Sequence, residues 1–80
     1  MNPSPKSHVE SKFVELFGDT IDFEVVCRDE PIVGRHGYKA QLIVDNLVVA
    51  EAFDRSSRPR SFAKLAIVVE KLYTAGLALV

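Results

Sequence analysis

Apolar side chains recur every three or four positions in two stretches of the chain, one near each end. The first stretch carries Val9, Phe13, Leu16 and Phe17 on one helical face. Ser7 is the expected N-cap, with Glu10 three residues later to complete a capping box, and Gly18 is the expected C-terminal stop. The pattern therefore predicts a first helix over residues 8–18, after a flexible tail of residues 1–7.

The second stretch runs from about residue 60 to about residue 75. Its apolar stripe is made of Phe62, Leu65, Ala66, Val69, Leu72 and Tyr73. Pro59 fits at or just before the first helical turn. Proline lacks a backbone N–H, and in the first turn that N–H would have no partner within the helix. Gly76 is suited to end a helix. These features predict a second amphipathic helix near the end of the chain.

Between the two helices, apolar and polar residues alternate in three short stretches, which is the period of a β-strand. The stretches are residues 21–27, 38–44 and 47–53. The predicted inward faces are Ile21, Phe23, Val25 and Cys27 in the first strand, and Tyr38, Ala40, Leu42 and Val44 in the second. Asp45 and Asn46 tolerate positive φ, so the second and third strands are predicted to form a hairpin with a two-residue turn.

The segments between these elements are rich in charge, proline and glycine. Residues 28–37 hold one proline, two glycines and five charged or ionisable groups, which predicts a long loop with a functional role. Residues 54–60 are predicted as a second loop. The element order α-β-β-β-α predicts an α+β fold, in which a three-stranded antiparallel sheet is packed on one face by two helices. Residues 8–80 would form this single domain.

The composition narrows the classes of function. The 80-residue chain has a formal net charge of -1 at pH 7, so any binding to nucleic acid needs a local patch of positive charge. The single cysteine, Cys27, and two distant histidines form neither a disulfide nor a metal-binding pattern. No motif indicates catalysis, so the protein is expected not to be an enzyme and to need no cofactor. Without a signal-peptide pattern or a long apolar run, an intracellular setting, cytoplasmic or nuclear and away from membranes, is expected.

A local patch of positive charge is present at the predicted start of the second helix. Arg55, Arg58, Arg60 and Lys64, here called the basic cluster, fall within ten residues that contain no acid. Arg60 and Lys64 are four residues apart and therefore share one helix face. Cations at a helix N-terminus oppose the helix dipole, and an anionic partner such as phosphate would explain their placement. The alternative is that these side chains only keep the helix start soluble.

The element order and several short motifs resemble the double-stranded-RNA-binding domain. Residues 13–16, FVEL, are similar to the LxEL of that family's first helix, and residues 23–26, FEVV, to the YEVV of its first strand. Residues 34–36, GRH, lie where the family has its GPxH loop. Residues 60–64, RSFAK, lie where the family has KKxAK at the start of its second helix, with Ser61 at the second lysine.

The resemblance covers roughly residues 8–76 and implies a non-catalytic module. Such domains recognise A-form RNA duplex by its shape and its phosphates, without sequence preference. Carried over by position, the implied RNA contacts are Glu15 on the first helix, Arg35 and His36 in the loop after the first strand, and Arg55, Arg58, Arg60 and Lys64 at the second helix. The implied partner is therefore double-stranded RNA.

A protein-interaction module is the second hypothesis. If the two-residue turn sets the register, the open face of the sheet would carry four apolar residues, namely Val26, Ile43, Val48 and Ala50. Glu51 would then point inward, which leaves a bulge or a shifted register as an alternative. Family members also dimerise or bind proteins through the third strand and second helix, so a homodimer or protein partner at those elements is expected in this case. The two hypotheses use different surfaces and are compatible.

Overall fold

The chain folds into two helices packed on one face of a three-stranded sheet. The computed structural model describes residues 4–32 and 35–76, without the side chains of residues 30–32 and 35. The elements are α1 (Pro5–Phe17), β1 (Phe23–Ile32), β2 (Arg35–Val44), β3 (Leu47–Asp54) and α2 (Arg58–Thr74). The sheet is antiparallel in the order β1-β2-β3. The predicted α+β fold and its element order are confirmed.

Helix α1 begins earlier than its apolar stripe indicates. Ser4, not Ser7, is the N-cap, and the Ser4 hydroxyl accepts a hydrogen bond of 3.1 Å from the backbone N–H of Ser7. Pro5 occupies the first turn, where a missing N–H costs nothing. The predicted tail was therefore wrong for residues 5–7, while residues 1–3 lie outside the described part of the chain. Gly18 follows the helix with φ of 92°, as predicted for its C-terminal stop.

Helix α2 also begins before the predicted residue. Ser57 is the N-cap and its hydroxyl accepts from the backbone N–H of Arg60, so the loop between β3 and α2 shrinks to residues 55–57. The predicted inward stripe is largely confirmed. Tyr73 is the exception, since its ring is half-exposed and meets Phe17 edge-on at 5.5 Å between ring centroids.

The predicted loop over residues 28–37 was wrong, because most of it forms paired strand. β1 and β2 stay in register from Phe23↔Val44 out to Ile32↔Arg35. The last pair between β2 and β3 at this end is Tyr38↔Asp54. Residues 30–32 and 35–37 therefore project beyond β3 as a two-stranded ribbon, here called the hairpin arm. Pro31 is tolerated because β1 is an edge strand, and charged side chains are tolerated where the ribbon leaves the core.

A bulge in β3 sets which residues face the helices. Asp45 and Asn46 adopt φ of 53° and 64°, as predicted for the two-residue turn. Ile43 pairs with Val48, but Leu42 pairs with Ala50, so Val49 is an extra residue between them. The shift turns Ala50 inward, where it is 6% exposed, and turns Glu51 outward, where it accepts a hydrogen bond from Gln41. Ala50 was therefore wrongly predicted on the open face.

The core lies between the sheet and the two helices. Its buried apolar residues are Val9, Phe13, Val25, Ala40, Leu42, Val44, Ala50, Phe62, Leu65, Ala66 and Val69. The Phe13 ring connects α1 to the sheet, with its centroid 4.3 Å from that of Phe23. Over the described residues, neither helix is long and apolar enough to cross a membrane.

Candidate nucleic-acid interface

The basic cluster is arranged around the carboxylate of Asp54, the last residue of β3. Asp54 is only 4% exposed. Its Oδ2 accepts hydrogen bonds from the Ser56 hydroxyl at 2.7 Å, the Ser56 N–H at 2.9 Å and the Ser57 N–H at 3.0 Å. These three bonds fold residues 55–57 into a tight turn and present the N-cap Ser57 to α2. The acid thus shapes the start of the helix on which most of the cations lie.

The other carboxylate oxygen of Asp54 holds the cation of Lys64. The Lys64 ammonium lies 2.9 Å from Asp54 Oδ1 and also donates to the backbone carbonyl of Phe53 at 3.3 Å. The hydrogen bond from the Ser56 hydroxyl and the one from Lys64, followed by those from the two backbone N–H groups, keep the pKa of Asp54 far below its ordinary value of 3.8. Asp54 is therefore an anion throughout the physiological range.

Arg60 is held much more loosely than Lys64. Its Nε lies 3.8 Å from Asp54 Oδ1, and its side chain is 71% exposed, against 52% for Lys64. Arg55 is exposed on the turn, and no salt bridge to it is found among the described residues. Arg55 and Arg60 are therefore the members of the basic cluster most available to an outside anion.

Arg58 is tied to the base of the hairpin arm. Its Nη2 donates to Asp29 Oδ1 at 2.7 Å, and its guanidinium carbon lies 5.5 Å from the centroid of the Tyr38 ring. His36 meets the same ring edge-on, with 5.9 Å between centroids. Tyr38 thus brings His36 of the hairpin arm next to the basic cluster. The side chain of the other predicted arm contact, Arg35, lies outside the described residues.

The N–H groups at the start of α2 are largely occupied. Pro59 has none, the N–H of Arg60 donates to the Ser57 hydroxyl, and that of Ser61 donates to the Ser57 carbonyl. The expected contribution of free helix N–H groups to phosphate binding is therefore small, and any anion would be bound mainly by side chains.

Ser61 departs from the lysine that the resemblance places at its position. It is fully buried, its hydroxyl donates to the Arg58 carbonyl at 2.7 Å, and it lies 3.4 Å from Cys27 Sγ. The face of α2 that includes Ser61 packs on the sheet, so a charged side chain has no access to solvent there. The sequence similarity between RSFAK and KKxAK therefore includes both ends of the motif, Arg60 and Lys64, and not its second position.

Glu15, the predicted contact on the first helix, is exposed on α1. Within the described residues its one ion pair is with Lys12, 3.7 Å away on the preceding turn. No hydrogen bond or ion pair of the described residues joins Glu15 to the basic cluster or to the hairpin arm. The structure thus brings His36 next to the basic cluster and leaves Glu15 as a separate polar position.

Sequence reasoning missed the three residues that organise the cluster: Asp29, Tyr38 and Asp54. Asp29 and Arg58 are 29 residues apart, and no local pattern indicates such a pair. For Asp54 a signal was available only in the local sequence, since the predicted register lacked the bulge and placed Ala50, and with it Asp54, on the open face. A carboxylate at that position, followed by two serines, is typical of a side chain that accepts hydrogen bonds from a turn.

The alternative protein-interaction surface is smaller than predicted. Val26 and Ile43 are half-buried on the open face, Val48 is 49% exposed, and Ala50 belongs to the core. Leu47, the first residue of β3, adds an unpredicted apolar side chain that is 67% exposed. The remaining apolar exposure is therefore concentrated at the β2–β3 turn and not spread over the sheet.

In the described part of the chain, no group of three or more histidine, cysteine, aspartate or glutamate side chains is placed to hold a metal ion. Comparisons with protein-family models, with curated proteins and with solved structures found no match to this chain.

Proposed function

We propose that this domain binds double-stranded RNA without sequence preference, through phosphate contacts of the basic cluster. The observation that carries the proposal is an imbalance of charge at one end of the domain. Three cations, Arg58, Arg60 and Lys64, converge there on two carboxylates, Asp29 and Asp54, and the exposed Arg55 lies on the adjoining turn. An excess of positive charge therefore remains on this surface, although the whole chain has a net charge of -1. Such a local excess is what binding to a polyanion requires.

The individual cations have unequal parts in this proposal. Arg55 and Arg60 are the primary phosphate contacts, because they are exposed and weakly held. Arg58 and Lys64 contribute charge from fixed positions, since each is committed to a carboxylate at 2.7 Å or 2.9 Å. A duplex bound to this surface would place one run of its phosphates against α2 and the turn before it.

The groove contacts rest on the family resemblance. His36 on the hairpin arm and Glu15 on α1 are the side chains assigned to the minor grooves, and both are exposed. The arm extends beyond β3 next to the basic cluster, so His36 could reach a groove beside the phosphates that Arg60 binds. Recognition at these positions would read the shape of the A-form duplex and its 2′-hydroxyls.

The test is a titration of a labelled RNA duplex of about 20 base pairs, since one such domain spans roughly 16. Binding is measured at low and near-physiological salt, with a DNA duplex of the same sequence for comparison. We expect RNA to bind more tightly than DNA and its affinity to fall steeply with salt. The Arg55→Ala/Arg60→Ala double variant should lose most of the affinity and part of the salt dependence.

Two lysines away from the cluster supply a matched control for charge. Lys6 and Lys71 lie in the first turn of α1 and the last turn of α2. The Lys6→Ala/Lys71→Ala variant has the same change in net charge as the test variant, so it should bind RNA nearly as the wild type does. Equal losses in both double variants would indicate non-specific attraction and not a docking site. Absence of RNA binding by the wild type at low salt would refute the proposal.

Association with a second protein copy or a partner is the second candidate function. It is favoured by the exposed Leu47 and Val48 at the start of β3, which is an edge strand of the sheet. Ile67 is also exposed, on α2, the helix that packs on β3. Sedimentation of the wild type and of Val48→Lys over a range of concentrations tests it. A monomer at every concentration would remove the case for self-association.

A further inference from the structure

The two oxygens of the Asp54 carboxylate have different tasks. Oδ2 accepts three hydrogen bonds from neutral groups of Ser56 and Ser57, and these bonds shape the turn. A neutral amide oxygen, as in asparagine, could accept from the same donors. Oδ1 instead faces the cations of Lys64 and Arg60. The turn thus needs an oxygen at position 54, whereas only the cations need the negative charge.

Withdrawing Lys64 from Asp54 would be costly. The carboxylate is almost completely buried, and without Lys64 its nearest cation is Arg60 at 3.8 Å. Removing Lys64 would leave a carboxylate that water reaches poorly, compensated only by the looser contact to Arg60. Arg60 has no such constraint, because its exposed guanidinium can turn to a phosphate while Lys64 stays in place.

We propose that Asp54 is an internal counter-anion of the basic cluster, which keeps the Lys64 ammonium from RNA phosphate and so limits the affinity of the domain. The inference rests on the proposed function, since it assigns a regulator of affinity to the same surface. Asp54 acts through Lys64 and is a positioning residue that makes no contact with RNA. The wild-type domain then binds RNA weakly, because it makes fewer phosphate contacts than the basic cluster has cations.

The experiment compares RNA binding by Asp54→Asn and by the wild type as a function of salt. Asparagine keeps the acceptor for the turn and removes the charge that holds Lys64. We expect several-fold tighter binding at low salt. The slope of log affinity against log salt should steepen by about 1, the change for one additional phosphate contact.

Asp29→Asn is the matched control, because it removes the same charge from the exposed partner of Arg58. Each variant is combined with Lys64→Gln. In the Asp54→Asn background, Lys64→Gln should return the salt slope to the wild-type value. In the wild-type and Asp29→Asn backgrounds it should leave the slope unchanged. An equal effect of Lys64→Gln on the slope in all three backgrounds would overturn the inference.

A measurement on the unaltered protein keeps the inference testable if Asp54→Asn does not fold. In side-chain ¹H–¹⁵N spectra of the wild type, added duplex should shift the Arg60 Nε–H signal and leave the Lys64 ammonium signal in place. Comparable shifts of both signals would overturn the role of Asp54 while leaving RNA binding intact. If neither Asp54→Asn nor the wild type binds duplex, the proposed function and the inference fall together.

Discussion

The Phe53 ring lies over the backbone of Gly37 on the face of the sheet opposite the helices. A Cβ atom at Gly37 would meet the Phe53 ring at its Cζ and, at 2.7 Å, its Cε2, and would lie 3.0 Å from the Asp54 carbonyl oxygen. The Phe53 ring covers the open face of the sheet at the point where β3 ends and the hairpin arm begins. A residue other than glycine at position 37 therefore requires the Phe53 ring to shift.

Gly37→Ala should accordingly lower the free energy of unfolding by about 1–3 kcal/mol, the usual cost of forcing extra atoms into a packed site. Urea denaturation followed by circular dichroism measures it. In a Phe53→Ala background the ring is gone, so the same substitution should cost much less. An equal cost in both backgrounds would show that the ring does not impose the requirement.

The contact of Arg58 with Asp29 and Tyr38 leads to a prediction about the hairpin arm. The ion pair is half-exposed, and such pairs contribute about 0.2–1 kcal/mol; the guanidinium over the ring adds about 0.5–1 kcal/mol. Arg58→Ala should therefore cost about 1 kcal/mol of stability. Lys71→Ala, at an exposed position of the same helix, should cost less. Hydrogen exchange in residues 35–37 should accelerate in Arg58→Ala only.

The fold was predictable because the apolar spacing is strong. Phe13, Val25 and Leu65 each lie where their local pattern places them, and a period of two or of 3.6 residues needs no knowledge of distant partners. The start of α1 was missed because Ser4 and Pro5 act through the backbone and leave no mark on the apolar pattern. Charge and proline in residues 28–37 suggested a loop, but on an edge ribbon they do not prevent pairing.

The candidate site was predictable only in part. The basic cluster is a local feature of the sequence, so Arg55 and Arg60 could be named from it. The anions that control the cluster come from other elements, and Asp29 reaches Arg58 only after the sheet and α2 have packed. Sequence proximity also gave no sign that Ser61, between two cations of the cluster, is buried.

The hydrogen bonds to Asp54 predict how stability depends on pH. Its pKa in the folded state lies below that of an unfolded aspartate, about 3.9, so the unfolded chain binds more protons in acid. The stabilisation is present in full above about pH 5 and is lost as the pH falls towards the folded-state pKa. The stability difference between the wild type and Asp54→Asn should therefore shrink on acidification.

Ser56→Ala provides an intermediate case in the same measurement. It keeps the carboxylate and removes the hydroxyl hydrogen bond, the largest cause of the lowered pKa. Its stability difference from the wild type should also shrink as the pH falls, but by less than for Asp54→Asn. Urea midpoints at several pH values between about 6 and 3 give the comparison. Parallel curves for all three proteins would contradict the assigned role of Asp54.

The bulge at Val49 predicts different effects on stability for a lysine placed on either side of it. Val48 is exposed, so Val48→Lys should change stability by no more than about 0.5 kcal/mol. Ala50 faces the helices, so Ala50→Lys should cost about 3 kcal/mol or more by burying an unpaired ammonium. Thermal melts of the two variants measure this difference in stability. A stable Ala50→Lys protein would mean that β3 pairs without the bulge.

Lysine substitutions in the first turns of α2 separate the burial of Ser61 from the charge of the basic cluster. Ser61→Lys would complete the KKxAK motif, yet it should unfold the domain, because the position is enclosed by the sheet and lies against Cys27. Ala63→Lys adds the same charge at an exposed position three residues after Arg60. It should fold, bind duplex RNA more tightly than the wild type and steepen the salt slope. Circular dichroism and the RNA titration on both variants test this pair. A folded, tighter-binding Ser61→Lys protein would instead mean that this face of α2 is open to solvent.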